Sequence, residues 1–480
     1  MHPLSRRSTE LGLVIMAATI TAAAYTLASL GKKSTIPPII VPFFVALLGL
    51  LLLAHLATRL HARGADSTLL PLAAMLHGIG YVMIARLNDR LAALQTTWTF
   101  VAIAAYIATL LVVQRAPDLA RYKWTFFILG AGLLLLPLVP GVGRSVGGAR
   151  IWVNLGPINF QPGEFAKILL ALFFAGYLYE RRELIAASTW HLGPLRLPEP
   201  RYFFPIVLAW GFAVIVMVGE KDLGTSLLFF TLFVVMLWVA TERATFLVLG
   251  LVLFGGAAYM SFRLFRHVRD RVDIWLDPWS RYQGKGYQIV QGIFAIGDGG
   301  LGGTGLGQGR PDLVPAVQND FIFAAIAEEL GLFGATAVLI SFLLIVGAGL
   351  RIAVRAERPF EKLLATGLTA LLGVQAFIII GGVIRVVPLT GIALPFVSYG
   401  GSSLVANYVL LALLMRVSDS TSRRIGELPD DPTINERFLA WKLRRQLRKQ
   451  TKRTGATTAG PTDVSSDDTV LVTGHVRSVE

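Results

Sequence analysis

Residues 286–331 read GYQIVQGIFAIGDGGLGGTGLGQGRPDLVPAVQNDFIFAAIAEELG, and in this stretch an otherwise apolar chain becomes polar and glycine-rich. The glycine-rich part gives way at Asp320 to a long apolar segment. Because that segment is long enough for a membrane helix, we expect Asp320 at a membrane surface, facing one aqueous side. The rest of the chain must explain what a carboxylate does there.

The composition of the whole chain indicates a membrane protein. Of its 480 residues, 54% are hydrophobic and 15% are charged, whereas soluble proteins have about a quarter charged residues. No alternating strand pattern of barrel type is present. We predict an all-α polytopic membrane protein with about 12 transmembrane helices, the tenth beginning as a polar-lined half-helix. The apolar runs are 11–30, 39–58, 68–85, 95–113, 124–140, 164–179, 203–219, 224–241, 244–262, 321–349, 363–384 and 398–415.

The net charge of +14 could suggest a nucleic-acid partner, but the placement of the cations along the chain favours a role in membrane orientation instead. Basic clusters follow the second, fourth, sixth and tenth runs, and a basic tail follows the twelfth. By the positive-inside rule, both termini are cytoplasmic and a large extracellular loop covers 263–319. The first run is read as a retained span, since no signal-peptide cleavage site follows it. The chain has no cysteine, which excludes disulfides and thiolate metal sites.

The predicted outer loop at 141–168, GVGRSVGGARIWVNLGPINFQPGEFAKI, carries candidate ligands for an anion. Arg150 lies close to the aromatic Trp152 in the sequence. Glu164 and Lys167 are three residues apart, hence neighbours on one helical face. A lysine inside a span is costly, so Lys167 either holds an anionic group or forms a structural pair with Glu164. Farther along, Asp222 either caps the next helix or belongs to the site.

Residues 262–275 have the spacing of an amphipathic helix at the interface. Its basic face could meet lipid phosphates or a pyrophosphate, but solvated charge explains most of its arginines. The glycines at 297, 299 and 302 match G-x-G-x-x-G. We reject dinucleotide binding because no strand precedes them. They are expected to allow a re-entrant turn or a close backbone approach to a substrate.

Asp320 has two readings, a helix N-cap or a general base kept ionised by the helix dipole. Glu328 and Glu329 cannot both face lipid, so one needs a cavity or a cation, for which Arg385 is a candidate. The last predicted outer loop, 386–411, brings Ser398 and Ser402 to the start of the final span. By themselves, its small residues indicate helix packing.

Five motifs together resemble the shape, elongation, division and sporulation (SEDS) family of bacterial cell-wall polymerases. They are GARIWVNLGPINFQPGEFAK, EKDLGTS, GYQIVQGIFAIGDGGLGGTGLGQG, NDFIFAAIAEELG and PLTGIALPFVSYGGSS. Thr390 in the P-x-x-G turn makes the chain more similar to the RodA branch than to the FtsW branch. The resemblance implies a ten-helix core at 67–417. It leaves an extra N-terminal helical pair at 1–66, of the kind associated with actinobacterial versions, and a cytoplasmic, basic, largely disordered tail at 418–480.

The resemblance implies a peptidoglycan glycosyltransferase that polymerises lipid II at the outer face of the bacterial cytoplasmic membrane. Asp320 matches the essential acidic position of the family. The implied partner is a class B penicillin-binding protein, a transpeptidase, together with other elongation or division machinery. Arg150, Lys167 and Arg385 are candidates to bind the pyrophosphate, helped by Mg²⁺ or Mn²⁺ if a metal is used.

The sequence also departs from the family pattern, and two other functions stay open. Before Asp320 the family often has a glutamate and a histidine, whereas this chain has VPAVQN at 314–319. Asp320 must therefore act without a neighbouring imidazole. The alternatives are a lipid II flippase and a non-catalytic scaffold for a transpeptidase, since bundles with broken helices suit transport equally well.

Overall fold

The apolar runs fold into long helices in the computed structural model. It describes residues 3–35, 40–146, 149–155, 158–186, 190–192, 195–197, 204, 207–208, 210–212, 214–216, 219 and 222–424. The helices are α1 Pro3–Lys33, α2 Ile40–His61, α3 Leu69–Leu87, α4 Asp89–Val112, α5 Lys123–Leu135, α6 Pro162–Ala186, α7 Leu223–Thr241, α8 Thr245–Leu264, α9 Arg266–Leu276, α10 Tyr287–Gly299, α11 Ile322–Arg355, α12 Pro359–Val383 and α13 Gly401–Arg424. Short 3-10 turns lie at Ala116–Tyr122, Leu136–Leu138, Trp279–Arg281 and Pro311–Leu313.

Ten stretches of the described residues are long and apolar enough to cross a membrane. They correspond to α1–α4, to α5 with its flanking 3-10 turns, and to α7, α8, α11, α12 and α13. The prediction of an all-α polytopic membrane protein is therefore confirmed. Helix α6 is not among the ten, since Glu164 and Lys167 lower the hydropathy of its first turns. Seven of the seventeen residues of the predicted run 203–219, and the tail beyond 424, lie outside the described residues.

Two segments between helices contain small sheets that the sequence did not predict. Strands β1 Gly143–Val146, β2 Ala149–Leu155 and β3 Ile158–Phe160 form an antiparallel sheet in that order. Arg144 pairs with Trp152 across β1 and β2. A hairpin of β4 Trp190–Leu192 and β5 Leu195–Leu197 precedes the seventh run. Strands of three to seven residues are too short to give a clear alternating pattern.

Helices α12 and α13 form the buried centre of the bundle. Helix α13 packs mainly against α4, and α12 packs against α6, α7 and α11. Polar contacts also join distant parts of the chain at one end of α13. Asp419 Oδ1 accepts a hydrogen bond of 2.7 Å from the Gly64 amide, and Arg416 donates to the carbonyls of His61 and Leu110. The linker between α2 and α3 is thereby fixed to the last helix.

Helix α11 is broken at Gly331, whose φ of 65° and ψ of −165° are not helical. Residues 322–330 thus form the half-helix expected at the start of the tenth run. The glycine-rich loop supplies hydrogen bonds that a continuous helix would have made. Carbonyls of Glu328 and Glu329 accept from the amides of Thr304 and Gly305, at 2.9 and 3.1 Å, and the Leu332 amide donates to the Gly300 carbonyl at 3.0 Å.

The glycines of this loop allow close backbone packing. A Cβ atom at Gly299 would lie 2.0 Å from the Ala327 carbonyl oxygen, and one at Gly303 would lie 2.3 Å from that of Glu329. Gly303 also has a φ of +84°. Gly299 and Gly303 are therefore needed where the loop touches the half-helix. Segment 263–319 contains α9, α10 and two 3-10 turns, so much of it is ordered.

Candidate active site

A cavity of about 920 Å³ lies beside Asp320. Its walls come from α4, the three-stranded sheet, the start of α7, α9, and the turns that precede α11 and α13. Its charged lining residues in the described chain are Asp222, Asp320, Arg144, Arg271 and Lys285. This mixture of two carboxylates and three cations could hold an anionic group beside a base.

Asp320 is half-buried at the cavity wall and does not cap α11. The N-cap residue is Phe321, and no side chain accepts a capping hydrogen bond there. The preceding turn is held by the loop before α13, because Ser398 Oγ donates to the Asn319 carbonyl and the Tyr399 amide donates to that of Gln318 at 2.9 Å. Burial raises the pKa of Asp320, while its own backbone amide and the Arg271 guanidinium oppose that rise.

Arg271 of α9 also lines the cavity, and its charge acts on the Asp320 carboxylate. Its Nη1 donates to the carbonyls of Thr390 at 2.7 Å and Leu389 at 3.2 Å. A Cβ atom at Gly391 would lie 3.9 Å from Arg271 Nη2 and 3.8 Å from Asp320 Oδ2. The two side chains therefore flank Gly391, less than 8 Å apart, and no ion pair shorter than 4.0 Å joins them.

Sequence reasoning grouped Arg271 with solvated arginines and did not name it as a site residue. A signal was present, since Arg271 lies three residues after Val268 and three before Ile274, on the apolar face of α9. A cation on an apolar helix face must reach a carboxylate, a carbonyl or a ligand. Burial lowers the pKa of Arg271, while Asp222 and Asp320 oppose that change.

Asp222 caps α7 and lines the cavity at the same time. Its carboxylate accepts from the Thr225 amide at 3.1 Å and from the Thr225 hydroxyl at 2.6 Å. Burial raises the pKa of Asp222, which the bonds from Thr225 and the charge of Arg271 counteract. The two readings of Asp222 are thus compatible, because one carboxylate can cap the helix and still border the cavity.

The small sheet and the last helix complete the walls. Arg144, Trp152 and Asn159 of the sheet line the cavity, as do Trp98 of α4 and Tyr399. The Gln161 amide donates to Ser402 Oγ at 3.0 Å, so Ser402 ties the sheet to α13. Among the sequence candidates, the structure brings Asp320, Asp222 and Ser402 together around this cavity, and Ser398 supports it from behind.

Lys167 and Glu164 form a buried pair outside the lining of this cavity. Lys167 Nζ donates to Glu164 Oε2 at 2.6 Å and to Gln375 Oε1 at 2.7 Å, and its side chain is 2% exposed. The sequence allowed Lys167 either to hold an anionic group or to pair with Glu164, and in the structure it pairs with Glu164. Arg150 Nη2 donates to the Val139 carbonyl at 3.2 Å, which anchors the sheet to the end of the fifth span.

Arg385 and the two glutamates of the half-helix also lie outside the lining of this cavity. Arg385 Nη2 donates to the carbonyls of Trp275 and Leu276, at 2.8 and 3.2 Å, so it binds the end of α9. Glu329 pairs with Arg86 of α3, whose Nε lies 2.8 Å from its Oε1, and Glu328 accepts from the Arg310 amide. The expected partner Arg385 is therefore replaced by Arg86, a contact between residues too distant in sequence for spacing to predict.

A metal ion would need ligands from the cavity and the substrate together. The described part of the chain has no group of three or more His, Cys, Asp or Glu side chains placed to hold a metal. Asp222 and Asp320 are the carboxylates that border the cavity there. Mg²⁺ often binds one or two carboxylates together with phosphate oxygens. The divalent cation therefore stays a prediction, and Asp222 and Asp320 are the residues that would bind it.

Comparison with known proteins agrees with the five motifs. The profile of the cell cycle protein family of FtsW, RodA and SpoVE matches residues 67–423. The peptidoglycan glycosyltransferase RodA of Mycobacterium tuberculosis is 43% identical over 436 residues, which cover 88% of this chain and 93% of the relative.

Two solved structures have the same fold. A chain from a study of polymerisation and crosslinking by a peptidoglycan synthase complex is 28% identical, with a TM-score of 0.63, over 74% of this chain and 98% of that one. The rod shape determining protein RodA of Thermus thermophilus is 25% identical, with a TM-score of 0.51, over 74% and 96%. The RodA resemblance is confirmed, and the chain belongs to the family of FtsW, RodA and SpoVE, a family of multi-pass membrane proteins.

Proposed function

We propose that this chain polymerises lipid II into glycan strands, with Asp320 as the general base. The chain is a peptidoglycan glycosyltransferase, as its curated relatives are named. The observation that carries the assignment to Asp320 is its position: it borders the cavity, does not cap the helix and lies, like Arg271, beside Gly391. A half-buried carboxylate with a raised pKa and no capping role is suited to accept a proton.

The reaction needs one base and a bound leaving group. The hydroxyl oxygen of the acceptor sugar attacks the anomeric carbon of the donor, and its proton passes to Asp320. The bond from that carbon to the pyrophosphate oxygen breaks, and the electron pair leaves with the undecaprenyl pyrophosphate. Attack opposite the leaving group inverts the anomeric carbon. No protonated acid is needed, because pyrophosphate leaves as an anion, unlike the sugar oxygen in hydrolysis by paired carboxylates.

The cations of the cavity are suited to the pyrophosphate. Arg271, Arg144 and Lys285 line it, whereas Lys167 and Arg385 are engaged elsewhere. Guanidinium groups bind phosphate oxygens through two parallel hydrogen bonds, which favours the two arginines for this role. Arg271 Nη1 already holds the turn at Leu389 and Thr390, so its Nη2 is the atom directed to the substrate.

The place of the reaction follows from the same proposal. The active site faces the outside of the bacterial cytoplasmic membrane and both termini are cytoplasmic, in accord with the charge pattern. The partner is a class B penicillin-binding protein, supported by the likeness to a chain from a peptidoglycan synthase complex. Other elongation or division machinery joins them, and elongation and cell shape are favoured by the RodA relatives.

Purified protein given lipid II in detergent tests the proposal directly. Asp320→Asn keeps the size of the side chain and removes its basicity, and loss of a general base lowers the rate by about 10²- to 10⁴-fold. Asp312→Asn is the matched control, since Asp312 is an exposed carboxylate in the same loop and outside the cavity lining. Wild type and Asp312→Asn should form glycan polymer at equal rates.

Polymer from Asp320→Asn at the wild-type rate would remove the role given to Asp320. If wild type forms no polymer, the assay is repeated with the cognate transpeptidase. Continued absence of polymer, with lipid translocation in vesicles, would favour the flippase, for which the broken helix α11 is the supporting feature. Absence of both activities would favour the scaffold.

A further inference from the structure

Helix α1 precedes the residues that match the family, yet its end packs directly on the glycine-rich loop. A Cβ atom at Gly31 would lie 2.1 Å from the Leu306 carbonyl oxygen and 3.2 Å from Gly307 Cα. From the other side, a Cβ atom at Gly307 would lie 2.4 Å from the Ala28 carbonyl oxygen. The two backbones are thus in contact through facing glycines, with no space for a side chain.

The loop touched by α1 is bonded in turn to Arg86 and Glu329. Lys32 Nζ donates to the Arg86 carbonyl at 2.6 Å. The Arg86 guanidinium donates to Glu329 Oε1 at 2.8 Å and to the Gly309 carbonyl at 2.7 Å. The Gly307 amide donates to Glu329 Oε2 at 2.9 Å. Both oxygens of Glu329 are therefore held by groups that the end of α1 contacts.

Glu329 belongs to the half-helix 322–330, and Asp320 lies directly before that half-helix. The break at Gly331 separates the half-helix from the rest of α11, so the long helix alone does not fix its position. Its C-terminal end is fixed by the loop, through the carbonyls of Glu328 and Glu329 and the Glu329 side chain. A movement of the loop is therefore transmitted to the element that presents Asp320.

We propose, resting on the function proposed above, that the end of α1 is a positioning element for Asp320, acting through Gly31, Lys32, Arg86 and Glu329. The N-terminal helical pair then sets the rate of glycosyl transfer as well as enlarging the bundle. A misplacement of about 1 Å can lower a rate about 100-fold, so a small shift of the half-helix is enough to be measured.

Gly31→Leu is the decisive variant, because a backbone carbonyl blocks its first side-chain atom and the loop or the helix must move. Gly12→Leu is the matched control in the same helix, since a Cβ atom there meets nothing within 4 Å. We expect Gly31→Leu to lower kcat at least tenfold with less than a twofold change in KM for lipid II. Gly12→Leu should keep both constants.

Hydrogen exchange provides a readout that separates positioning from general loss of stability. In Gly31→Leu, amide exchange should accelerate in 304–310 and in 322–330, and should be unchanged in α5, which packs mainly on α6 and does not line the cavity. If Gly31→Leu does not fold, Lys32→Met serves instead, because it removes one exposed donor. Lys32→Met should lower kcat two- to tenfold at constant KM.

The outcomes separate this proposal from the function itself. Equal kcat in Gly31→Leu and Gly12→Leu, or an unchanged kcat in Lys32→Met where Gly31→Leu does not fold, overturns the positioning role while polymerisation stands. Faster exchange limited to 304–310, with kcat intact, overturns it as well. If wild type and Gly12→Leu form no polymer, the proposed function has failed first.

Discussion

Replacing Arg271 by glutamine should make polymerisation more sensitive to acid. Arg271 Nη2 and Asp320 Oδ2 flank Gly391 less than 8 Å apart. At a separation between 4.0 and 8 Å and an effective dielectric constant near 20, a full charge attracts a carboxylate by about 2–4 kcal/mol. Both side chains are half-buried, so screening by water reduces this to about 1 kcal/mol. Without the cation, the carboxylate binds a proton more readily.

The expected result is a change in the pH profile of kcat/KM. A general base works when ionised, so the rate falls as the pH drops through the pKa of Asp320, which burial has raised. Arg271→Gln raises that pKa further and moves the acid limb to higher pH. About 1 kcal/mol corresponds to a rate roughly fivefold lower on that limb, in addition to a pH-independent loss from weaker binding of the leaving group.

Two control variants make the experiment specific. Arg271→Lys keeps a charge and should restore the position of the acid limb. Arg269→Gln lies on the same helix, is exposed and makes no ion pair within 4.0 Å in the described chain, so its profile should match wild type. Identical acid limbs in Arg271→Gln and wild type would refute the electrostatic role of Arg271.

Three further predictions concern other contacts. Asp222→Asn should move the acid limb in the opposite direction, to lower pH, because the shared guanidinium then acts on Asp320 alone; pH profiles of kcat/KM check this. Lys167→Met should destabilise the fold by about 3–5 kcal/mol, since it leaves a buried carboxylate unpaired, and thermal unfolding in detergent measures the loss. Gly299→Ala should destabilise by about 1–3 kcal/mol through overpacking against the half-helix. In the same unfolding measurement Gly297→Ala, where a Cβ atom has open space, should be neutral or slightly stabilising.

The sequence predicted the helices well because hydropathy alone determines which segments can span a membrane. It also located Asp320 and Asp222, since each stands directly before an apolar run. It did not predict the sheet of β1, β2 and β3, because strands of three to seven residues are too short to give a clear alternating pattern. Nor could it find the partner of Glu329, because Arg86 is 243 residues away and no local spacing joins them.

Arg271 shows a different limit. Arg266 and Arg269 precede it in the same helix, and charge alone does not distinguish a solvated guanidinium from one that faces a cavity. The distinction came from the position of Arg271 on the apolar face of α9 and from the two carbonyls that accept its hydrogen bonds. Lys167 is the opposite case. The cost of burying a lysine made it a candidate ligand, but its ammonium group donates to Glu164 and Gln375 instead.

The cavity wall draws on residues from Leu94 to Ser403, so its assembly has a consequence for biosynthesis. The last span supplies Ser402 and Ser403, and Gly401 at its start packs against the Trp98 ring of α4 with no space for a side chain. Helices leave the ribosome in order, and α13 is inserted after every other part of the wall. A nascent chain without α13 therefore has an incomplete wall around Asp320, and the cavity forms only when α13 has been inserted.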